Sequence, residues 1–345
     1  MNPRRKIRVL VVDDSLLFRE SLAIGIAADP SIEVIATAAD PFIARDRIIE
    51  YEPDVMTLDV EMPRMSGIEF LRRLMPQYPI PVVVVSSLSE NVFDALNAGA
   101  VEFVTKPDSR TERGMAYFIN ELTIKIKVAS VANVSEWKAN VTNSSLGGEK
   151  VNTDSNIKVI AMGASTGGTE ATYQLLKSFS RDMPGIVIVQ HMPPIFTRMF
   201  AERLNNKTLL EVKEAESGDK LYPGRVLIAA GNTQMRLKKT GSTYAVECYP
   251  GEKVSGHCPS VDVLFESVAE AAGTNAMGVI LTGMGSDGAK GLLAMRRRGA
   301  RTIGQDEGSS IVYGMPKVAY TLGAVEIQAS LGTMPQVIYS IVNGR

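Results

Sequence analysis

An apolar run that ends in a glycine-rich turn is the feature that most constrains the fold of this chain. Residues 158–162 form the run, Gly163-Ala164-Ser165-Thr166-Gly167-Gly168 follows, and a helix-compatible stretch covers residues 170–178. This order predicts a strand, a tight turn and a helix, as in α/β proteins. A serine in such a turn lies beside the N–H groups of a helix N-terminus. The string fits G-x-S-x-G and suggests a nucleophile, although similar turns also bind phosphate or only turn the chain.

The scarcity of histidine limits the possible partners of that serine to two residues, His191 and His257. His191 follows the strand-like run 185–190 and precedes two prolines, which exclude a helical continuation. It is therefore predicted at the carboxyl end of a buried parallel strand, the edge at which open α/β sheets hold their sites. His257 lies in a polar loop and is the weaker candidate for a general base.

A third apolar run, 277–281, leads into another glycine-rich turn, and this turn contains Asp287. A serine nucleophile needs an imidazole to take its proton and a carboxylate to fix the imidazole tautomer. The order Ser165, His191, Asp287 differs from the Ser-Asp-His order of the α/β-hydrolases. Taken singly, Asp287 and Ser165 are also explained as caps of the helices that follow them. Their occurrence with a histidine at three strand ends favours catalysis.

The N-terminal third contains a second set of polar residues at the ends of apolar runs. These residues are Asp13, Asp14, Asp59, Ser86 and Lys106. Three carboxylates at one sheet edge would repel one another without a cation, and hard oxygen ligands suit Mg²⁺. Lys106 and Ser86 would then donate hydrogen bonds to an incoming phosphoryl group.

This second pattern resembles the receiver domain of two-component response regulators over about residues 6–128. The resemblance implies that Asp59 is the phosphoryl acceptor. It implies that four oxygen ligands hold Mg²⁺, from Asp13, Asp14, Asp59 and the main-chain carbonyl of Glu61. It also implies that Ser86 is the hydroxyl switch position and that Phe103 is the aromatic residue that changes rotamer. Lys106 would take the role of the family's invariant lysine. The segment 88–105 is short for the family, which suggests an abbreviated fourth helix.

A receiver joined to these serine, histidine and aspartate residues resembles the CheB family of chemotaxis protein-glutamate methylesterase response regulators. The motifs that carry the resemblance are GASTGG at 163–168, HMPP at 191–194, HCPSVDVLF at 257–265, ILTGMGSDGAKGLLAMRRRGA at 280–300, GQDE at 304–307 and YGMP at 313–316. It implies that Ser165 is the nucleophile, His191 the general base and Asp287 its orienting partner. Thr166 and Met284 would lie beside the nucleophile, with the Met284 N–H as a candidate donor to the oxyanion.

One departure from the family pattern lies in residues 229–235. Family members carry a proline–glycine turn and then a histidine there, whereas this chain has no histidine near Gln234. The departure removes no member of the proposed triad, and it implies a changed contact on the substrate side.

The resemblance also implies the domain organisation. We expect a (βα)₅ receiver domain in residues 1–128 and a doubly wound, mostly parallel α/β sheet domain with the methylesterase site in residues 157–345. Residues 129–156 are rich in Ser, Asn, Gly and Thr, which predicts a flexible linker. Its first part, 129–138, is expected to prolong the last receiver helix, and Trp137 is expected to dock on one of the domains.

The implied activity is hydrolysis of γ-glutamyl methyl esters on methylated chemoreceptors, activated when a chemotaxis histidine kinase phosphorylates the receiver. Some relatives also deamidate glutamines by the same acyl route. Mg²⁺ would serve phosphorylation only, and ester hydrolysis would need no cofactor. An alternative remains open, in which the C-terminal domain is a non-catalytic module that binds receptors in response to phosphorylation.

Composition and charge argue against several other classes of protein. The formal net charge is −1 and no basic recognition helix is recognisable, so we expect no nucleic-acid partner and no transcriptional regulator. The glycine-rich turns lack the spacing and the lysine typical of nucleotide binding. Two cysteines and two histidines argue against a disulfide framework and a four-ligand zinc site. No run reaches the roughly 18 apolar residues of a membrane span, and the apolar stretch before Asp13 is too short for a secretory signal. We therefore expect a cytoplasmic protein without direct membrane insertion.

Overall fold

The computed structural model describes residues 5–87, 91–107, 112–134, 151 and 155–344. The chain divides into two compact units, Met1–Val141 and Thr142–Arg345. No helix in the described ranges is both long and apolar enough to cross a membrane.

The N-terminal unit is a five-stranded parallel sheet with the strand order β2-β1-β3-β4-β5. Strands and helices alternate along the chain: β1 (Ile7–Val12), α1 (Leu16–Ala27), β2 (Ile32–Ala38), α2 (Pro41–Tyr51), β3 (Val55–Asp59), α3 (Gly67–Leu74), β4 (Val82–Ser86), α4 (Val92–Asn97), β5 (Glu102–Thr105) and α5 (Glu112–Ala129). Every residue of β3 and β4 is buried, as expected for central strands of a parallel sheet that helices cover on both faces. The unit has the predicted (βα)₅ architecture.

Two details of this unit bear on the sequence predictions. Helix α4 has only 6 residues, in agreement with the short segment between Ser86 and Lys106. Helix α5 ends at Ala129, so its predicted extension is wrong for residues 130–134. The N–H groups of Val131 and Ala132 donate to the carbonyls of Val128 and Ala129, three residues back rather than four, so the helix closes with a tighter final turn. The rest of the predicted extension, including Trp137, lies outside the described residues.

The C-terminal unit is built on a seven-stranded sheet of order β15-β14-β13-β6-β7-β10-β8, in which every pair is parallel. Its elements are β6 (Val159–Ala164), α6 (Gly168–Lys177), β7 (Gly185–Gln190), α7 (Pro194–Lys207), β8 (Glu211–Glu214), β9 (Lys220–Leu221), β10 (Arg225–Ile228), β11 (Gln234–Thr240), β12 (Thr243–Tyr249), α8 (Val261–Ala271), β13 (Ala276–Ile280), α9 (Ala289–Arg297), β14 (Arg301–Gln305), α10 (Met315–Thr321), β15 (Ile327–Ala329) and α11 (Met334–Val342). Strands β11, β12 and β9 form a separate antiparallel sheet.

The position of β6 determines where a site can form in this unit. The chain runs outward from β6 to β7 and later returns to place β13 on the other side of β6. Such a reversal of strand order opens a crevice at the carboxyl ends of the strands, where α/β proteins bind ligands. All residues of β6, β7 and β13 are buried, so these three strands hold the loops at that edge rigidly.

Candidate functional site

Ser165 and His191 occupy equivalent places on neighbouring strands. Ser165 directly follows β6, His191 directly follows β7, and the last residues of the two strands, Ala164 and Gln190, are register partners. The His191 N–H donates to the Ala164 carbonyl at 3.1 Å, and the Ser165 N–H donates to the Thr282 carbonyl at 3.0 Å. The nucleophile and base candidates are therefore fixed by main-chain bonds at one sheet edge.

His191 forms a close pair with Asp287. Its Nε2 lies 2.8 Å from Asp287 Oδ2, and the two side chains are 8% and 1% exposed. A neutral imidazole that donates from Nε2 carries its lone pair on Nδ1. This Nδ1 is buried and has no hydrogen-bond partner among the described residues. The predicted Ser165–His191 bond is thus not formed here, and catalytic hydrogen bonds often close only when substrate is bound.

Asp287 lies at the N-terminus of α8. Its carboxylate accepts the Ser260 hydroxyl at 2.8 Å and the N–H groups of Val261 and Asp262 at 2.8 and 3.0 Å. Burial acts to raise the pKa of Asp287, but the hydrogen bonds from His191 and from α8 outweigh it and hold the pKa below its usual value. The carboxylate therefore stays ionised and accepts the imidazole N–H.

The simpler explanation of Asp287 and Ser165 as caps of the helices that follow them is wrong. The cap positions of α9 and α6 belong to Gly288 and Gly167, and neither helix has a side-chain cap bond. Both glycines have left-handed φ angles of 88° and 76°, a conformation that glycine adopts without strain. They redirect the chain, so Ser165 and Asp287 remain outside their own helices.

Gln190 is a buried residue of this site that the sequence reasoning missed. Its side-chain nitrogen donates to the Ser165 carbonyl at 2.8 Å and to the His191 carbonyl at 3.3 Å. One amide therefore links the main chains of the candidate nucleophile and base. The available signal was a lone amide at the end of an otherwise apolar strand.

His257, predicted to be the weaker base candidate, stacks on His191. The ring centroids are 3.6 Å apart and the planes differ by 7°. The loop that carries His257 is tied to Gln234, which is buried and whose Oε1 accepts the Ser260 N–H at 2.9 Å. The Gln234 side chain faces the protein interior, whereas Asn232 in the same segment is exposed, so the expected change in a substrate contact stays a prediction.

Thr166 is the next residue after Ser165 in the chain, whereas Met284 belongs to the loop after β13 that packs against Ser165. Thr166 is buried, and its carbonyl accepts the Thr282 hydroxyl at 3.0 Å, whereas the Met284 side chain is 48% exposed. A Cβ atom on Gly283 would lie 2.7 Å from Ser165 Cβ, so only glycine fits between them. The main chain that leads into Met284 therefore packs directly against the candidate nucleophile.

The predicted acidic residues of the N-terminal unit also meet at one sheet edge. Carboxylate oxygens of Asp13, Asp14 and Asp59 all lie within 4.8 Å of one another. Lys106 Nζ lies 2.6 Å from Asp59 Oδ2 and 2.8 Å from Asp13 Oδ2. One ammonium does not balance three carboxylates, and these hard oxygen donors fit Mg²⁺.

Burial and ion pairing shift the pKa values of this cluster. Burial of Asp59 outweighs its bond with Lys106 and raises the pKa of Asp59 to about 6. Burial acts to lower the pKa of Lys106, but its bonds to Asp13 and Asp59 outweigh that effect and raise the pKa. The Glu61 N–H donates to Asp59 at 3.2 Å. Glu61, whose carbonyl is the fourth expected ligand, therefore lies next to the Asp59 carboxylate.

Ser86 and Phe103 lie on the neighbouring strands β4 and β5. Ser86 ends β4 and is 2% exposed, and Phe103 is also buried. The Lys106 N–H donates to the Ser86 carbonyl at 2.9 Å, which places the hydroxyl position beside the lysine. The structure thus brings together Asp13, Asp14, Asp59 and Lys106, joins Ser86 to Lys106 through the main chain and places Phe103 on the adjacent strand β5.

Comparison with known proteins supports both halves of this description. The family model for CheB methylesterase matches residues 160–338, and the model for the response regulator receiver domain matches residues 9–147. The chain is 64% identical to protein-glutamate methylesterase/protein-glutamine glutaminase 2 of Syntrophomonas wolfei, covering 98% of each chain. It is 55% identical to protein-glutamate methylesterase/protein-glutamine glutaminase of Syntrophotalea carbinolica, over 99% of each chain.

A solved structure resembles the C-terminal unit. It is the Thermotoga maritima CheB methylesterase catalytic domain, with a TM-score of 0.53 and 33% identity, covering 54% of this chain and 99% of that one. The matched family model spans β6, β7 and β13 and the loops that carry Ser165, His191 and Asp287. This chain belongs to the CheB methylesterase family, and its N-terminal part is a response regulator receiver domain.

Proposed function

We propose that this protein is a protein-glutamate methylesterase of chemoreceptors whose activity is raised by phosphorylation of its receiver domain. The observation that carries the proposal is the bond between His191 and Asp287 at the strand end beside Ser165. It leaves Nδ1 of His191, which is buried and has no hydrogen-bond partner among the described residues, as the proton acceptor. A serine and such a base at the ends of neighbouring strands are the residues that nucleophilic ester hydrolysis requires.

The proposed reaction has two stages. His191 Nδ1 takes the hydroxyl proton as Ser165 Oγ attacks the carbonyl carbon of a γ-glutamyl methyl ester, and the imidazolium then gives this proton to the departing methanol. In the second stage, water attacks the acyl-enzyme with His191 again as the base. The products are glutamate and free Ser165.

A positive charge on His191 and a negative charge on the oxyanion develop in these steps, and fixed groups of the protein stabilise both. Asp287 is ionised and stabilises the imidazolium that forms at His191. The oxyanion would lie near the start of α6 and the main chain of Met284, whose N–H groups are the proposed donors. A carboxamide would follow the same acyl route with ammonia as the leaving group, so glutamine deamidation is included in the proposal.

The receiver domain would accept the phosphoryl group on Asp59. Asp13, Asp14, Asp59 and the Glu61 carbonyl would hold Mg²⁺, which when bound offsets the negative charge of the carboxylates and of the phosphoryl group. Lys106 supplies a second positive charge at 2.6 Å from Asp59. A chemotaxis histidine kinase would be the phosphodonor, and Ser86 and Phe103 would respond to the new phosphate. The switch would act as a population shift between inactive and active states.

Methanol release from methylated chemoreceptor membranes tests this proposal. Wild type and Ser165→Ala are compared with and without acetyl phosphate and Mg²⁺, with Ser242→Ala, a change in the exposed β11–β12 turn, as the matched control. We expect Ser242→Ala to behave as wild type, and Ser165→Ala to lose activity by several orders of magnitude. Receptor binding without serine-dependent methanol release would favour the non-catalytic module instead.

A further inference from the structure

We propose that His257 is a positioning residue, whose ring fixes the plane of His191 so that Nδ1 can take the Ser165 proton when the two side chains meet in the reaction. The inference rests on the proposed function and concerns a residue outside the serine, histidine and aspartate set. Its basis is the stack of the two imidazoles, with centroids 3.6 Å apart and planes 7° from parallel.

The first step of the argument concerns what holds the ring of His191. The Asp287 bond fixes the Nε2 side at 2.8 Å. This hydrogen bond and the covalent attachment at Cβ hold the ring at two points, but they tolerate a twist of the ring about the line between those points. The opposite nitrogen, Nδ1, has no partner among the described residues and therefore does not resist this rotation. A flat surface against the ring face resists it, because tilting would drive the two rings into each other.

The second step concerns what holds His257. Its N–H donates to the Val254 carbonyl at 3.0 Å, and the Val254 N–H donates to its carbonyl at 2.9 Å. The side-chain nitrogen of Gln234 donates to the Glu252 carbonyl at 2.9 Å and reaches the His257 carbonyl at 3.5 Å. Gln234 also accepts the Ser260 N–H. The segment 252–260 is thus tied to a buried side chain of β11, so the His257 ring has a rigid support.

The third step links the stack to the rate. The base must face the hydroxyl in a narrow range of angles, and an error of about 1 Å in placement costs on the order of 10²-fold in rate. A misaligned His191 would still allow substrate to bind. The loss is therefore expected in kcat, with KM little changed.

The test compares full-length His257→Phe and His257→Leu in the methanol-release assay with acetyl phosphate and Mg²⁺. Phenylalanine keeps a flat ring, whereas leucine keeps apolar bulk without one. We expect His257→Leu to lose about 10- to 100-fold in kcat with KM within about twofold of wild type, and His257→Phe to recover most of that loss. Lys253→Ala, an exposed change in the same loop, is the matched control and is expected to match wild type.

A second variant keeps the inference testable if His257→Leu does not fold. Gln234→Met keeps side-chain volume and removes the bonds to the loop, so it is expected to lower kcat in the same way, with the thermal transition measured to establish folding. Wild-type kcat in folded His257→Leu or in folded Gln234→Met would overturn the inference. Equal losses in His257→Phe and His257→Leu would also overturn it, because the ring face would then not be the cause. Absence of serine-dependent methanol release in wild type would instead refute the proposed function.

Discussion

The Asp287 carboxylate accepts the Val261 N–H at 2.8 Å, so the acid that pairs with His191 is also bound by the first turn of α8. The N-terminus of a helix carries partial positive charge and stabilises an anion. Ser260, Val261 and Asp262 therefore supply the hydrogen-bond donors that hold the Asp287 carboxylate. None of these three residues belongs to the proposed triad. Asp287 links the orientation of the base to the packing of α8.

Asp287→Asn tests the catalytic side of this link. The amide cannot stabilise an imidazolium as a carboxylate does, and its nitrogen would face the N–H groups of α8. We expect kcat to fall on the order of 10⁴-fold. The measurement is serine-dependent methanol release. Activity within about tenfold of wild type would show that the His191–Asp287 bond has no role in the reaction.

The same variant tests a pH dependence of stability. Because the pKa of Asp287 is lowered from 3.8 in the folded protein, its ionised form stabilises the fold. This contribution is complete above the unfolded value and is lost as pH falls through the folded value. We expect the melting temperature of Asp287→Asn to lie below wild type at pH 6, and the difference to shrink below about pH 4. Thermal unfolding of both proteins at pH 6 and at several values below about pH 4 measures it, and a difference that grows on acidification would contradict the prediction.

The strand ends of the C-terminal unit were predictable because apolar runs and glycines next to them in the sequence indicate where each strand stops. Ser165 follows β6 and His191 follows β7, as the runs before them predicted. The partners of Asp287 were not predictable, because Val261 and Asp262 precede it by 26 and 25 residues and no local pattern records that contact. The histidine stack was missed for the same reason, since a polar loop sequence does not indicate which surface it covers.

In the receiver domain the site was predictable in more detail. Asp13, Asp59 and Lys106 each come directly after a short strand-like run, and parallel strands bring such ends to one edge. The end of α5 was not predictable from composition, because residues 130–134 contain no proline or glycine and the change to bonds three residues back at Val131 and Ala132 has no local sequence signal.

Gln190→Glu tests the link between the nucleophile and base strands. The substitution keeps the shape but places a second acceptor against the carbonyls of Ser165 and His191, with which the amide now bonds. Losing two buried hydrogen bonds is expected to cost about 1–3 kcal/mol in the free energy of unfolding, and kcat is expected to fall as the two loops separate. Denaturant unfolding and methanol release measure these effects. Gln77→Glu, an exposed change in the receiver domain, is the control, and equal effects of the two changes would refute the role of Gln190.

Asp59→Asn and removal of Mg²⁺ test the switch. We expect the variant to keep basal methanol release and to lose the increase produced by acetyl phosphate. EDTA is expected to have the same effect on wild type, because Asp13, Asp14 and Asp59 need a cation to accept a phosphoryl group. Asp46→Asn, at an exposed site on α2, should retain stimulation. Stimulation of Asp59→Asn equal to that of wild type would assign the phosphoryl acceptor to another residue.

Gly283→Ala tests the contact between the Met284 loop and the nucleophile. The added methyl group would lie 2.5 Å from Met315 Sδ and 2.7 Å from Ser165 Cβ, closer than atoms approach without displacement. The loop must move away from Ser165, and with it the proposed oxyanion donor, whose loss typically costs about 10²- to 10³-fold in kcat. Gly308→Ala is the matched control, since its methyl group would meet no atom within 4 Å. We expect methanol release to fall by about 10²-fold in Gly283→Ala and to stay at the wild-type rate in Gly308→Ala. A fully active Gly283→Ala protein would show that the Met284 main chain does not stabilise the oxyanion.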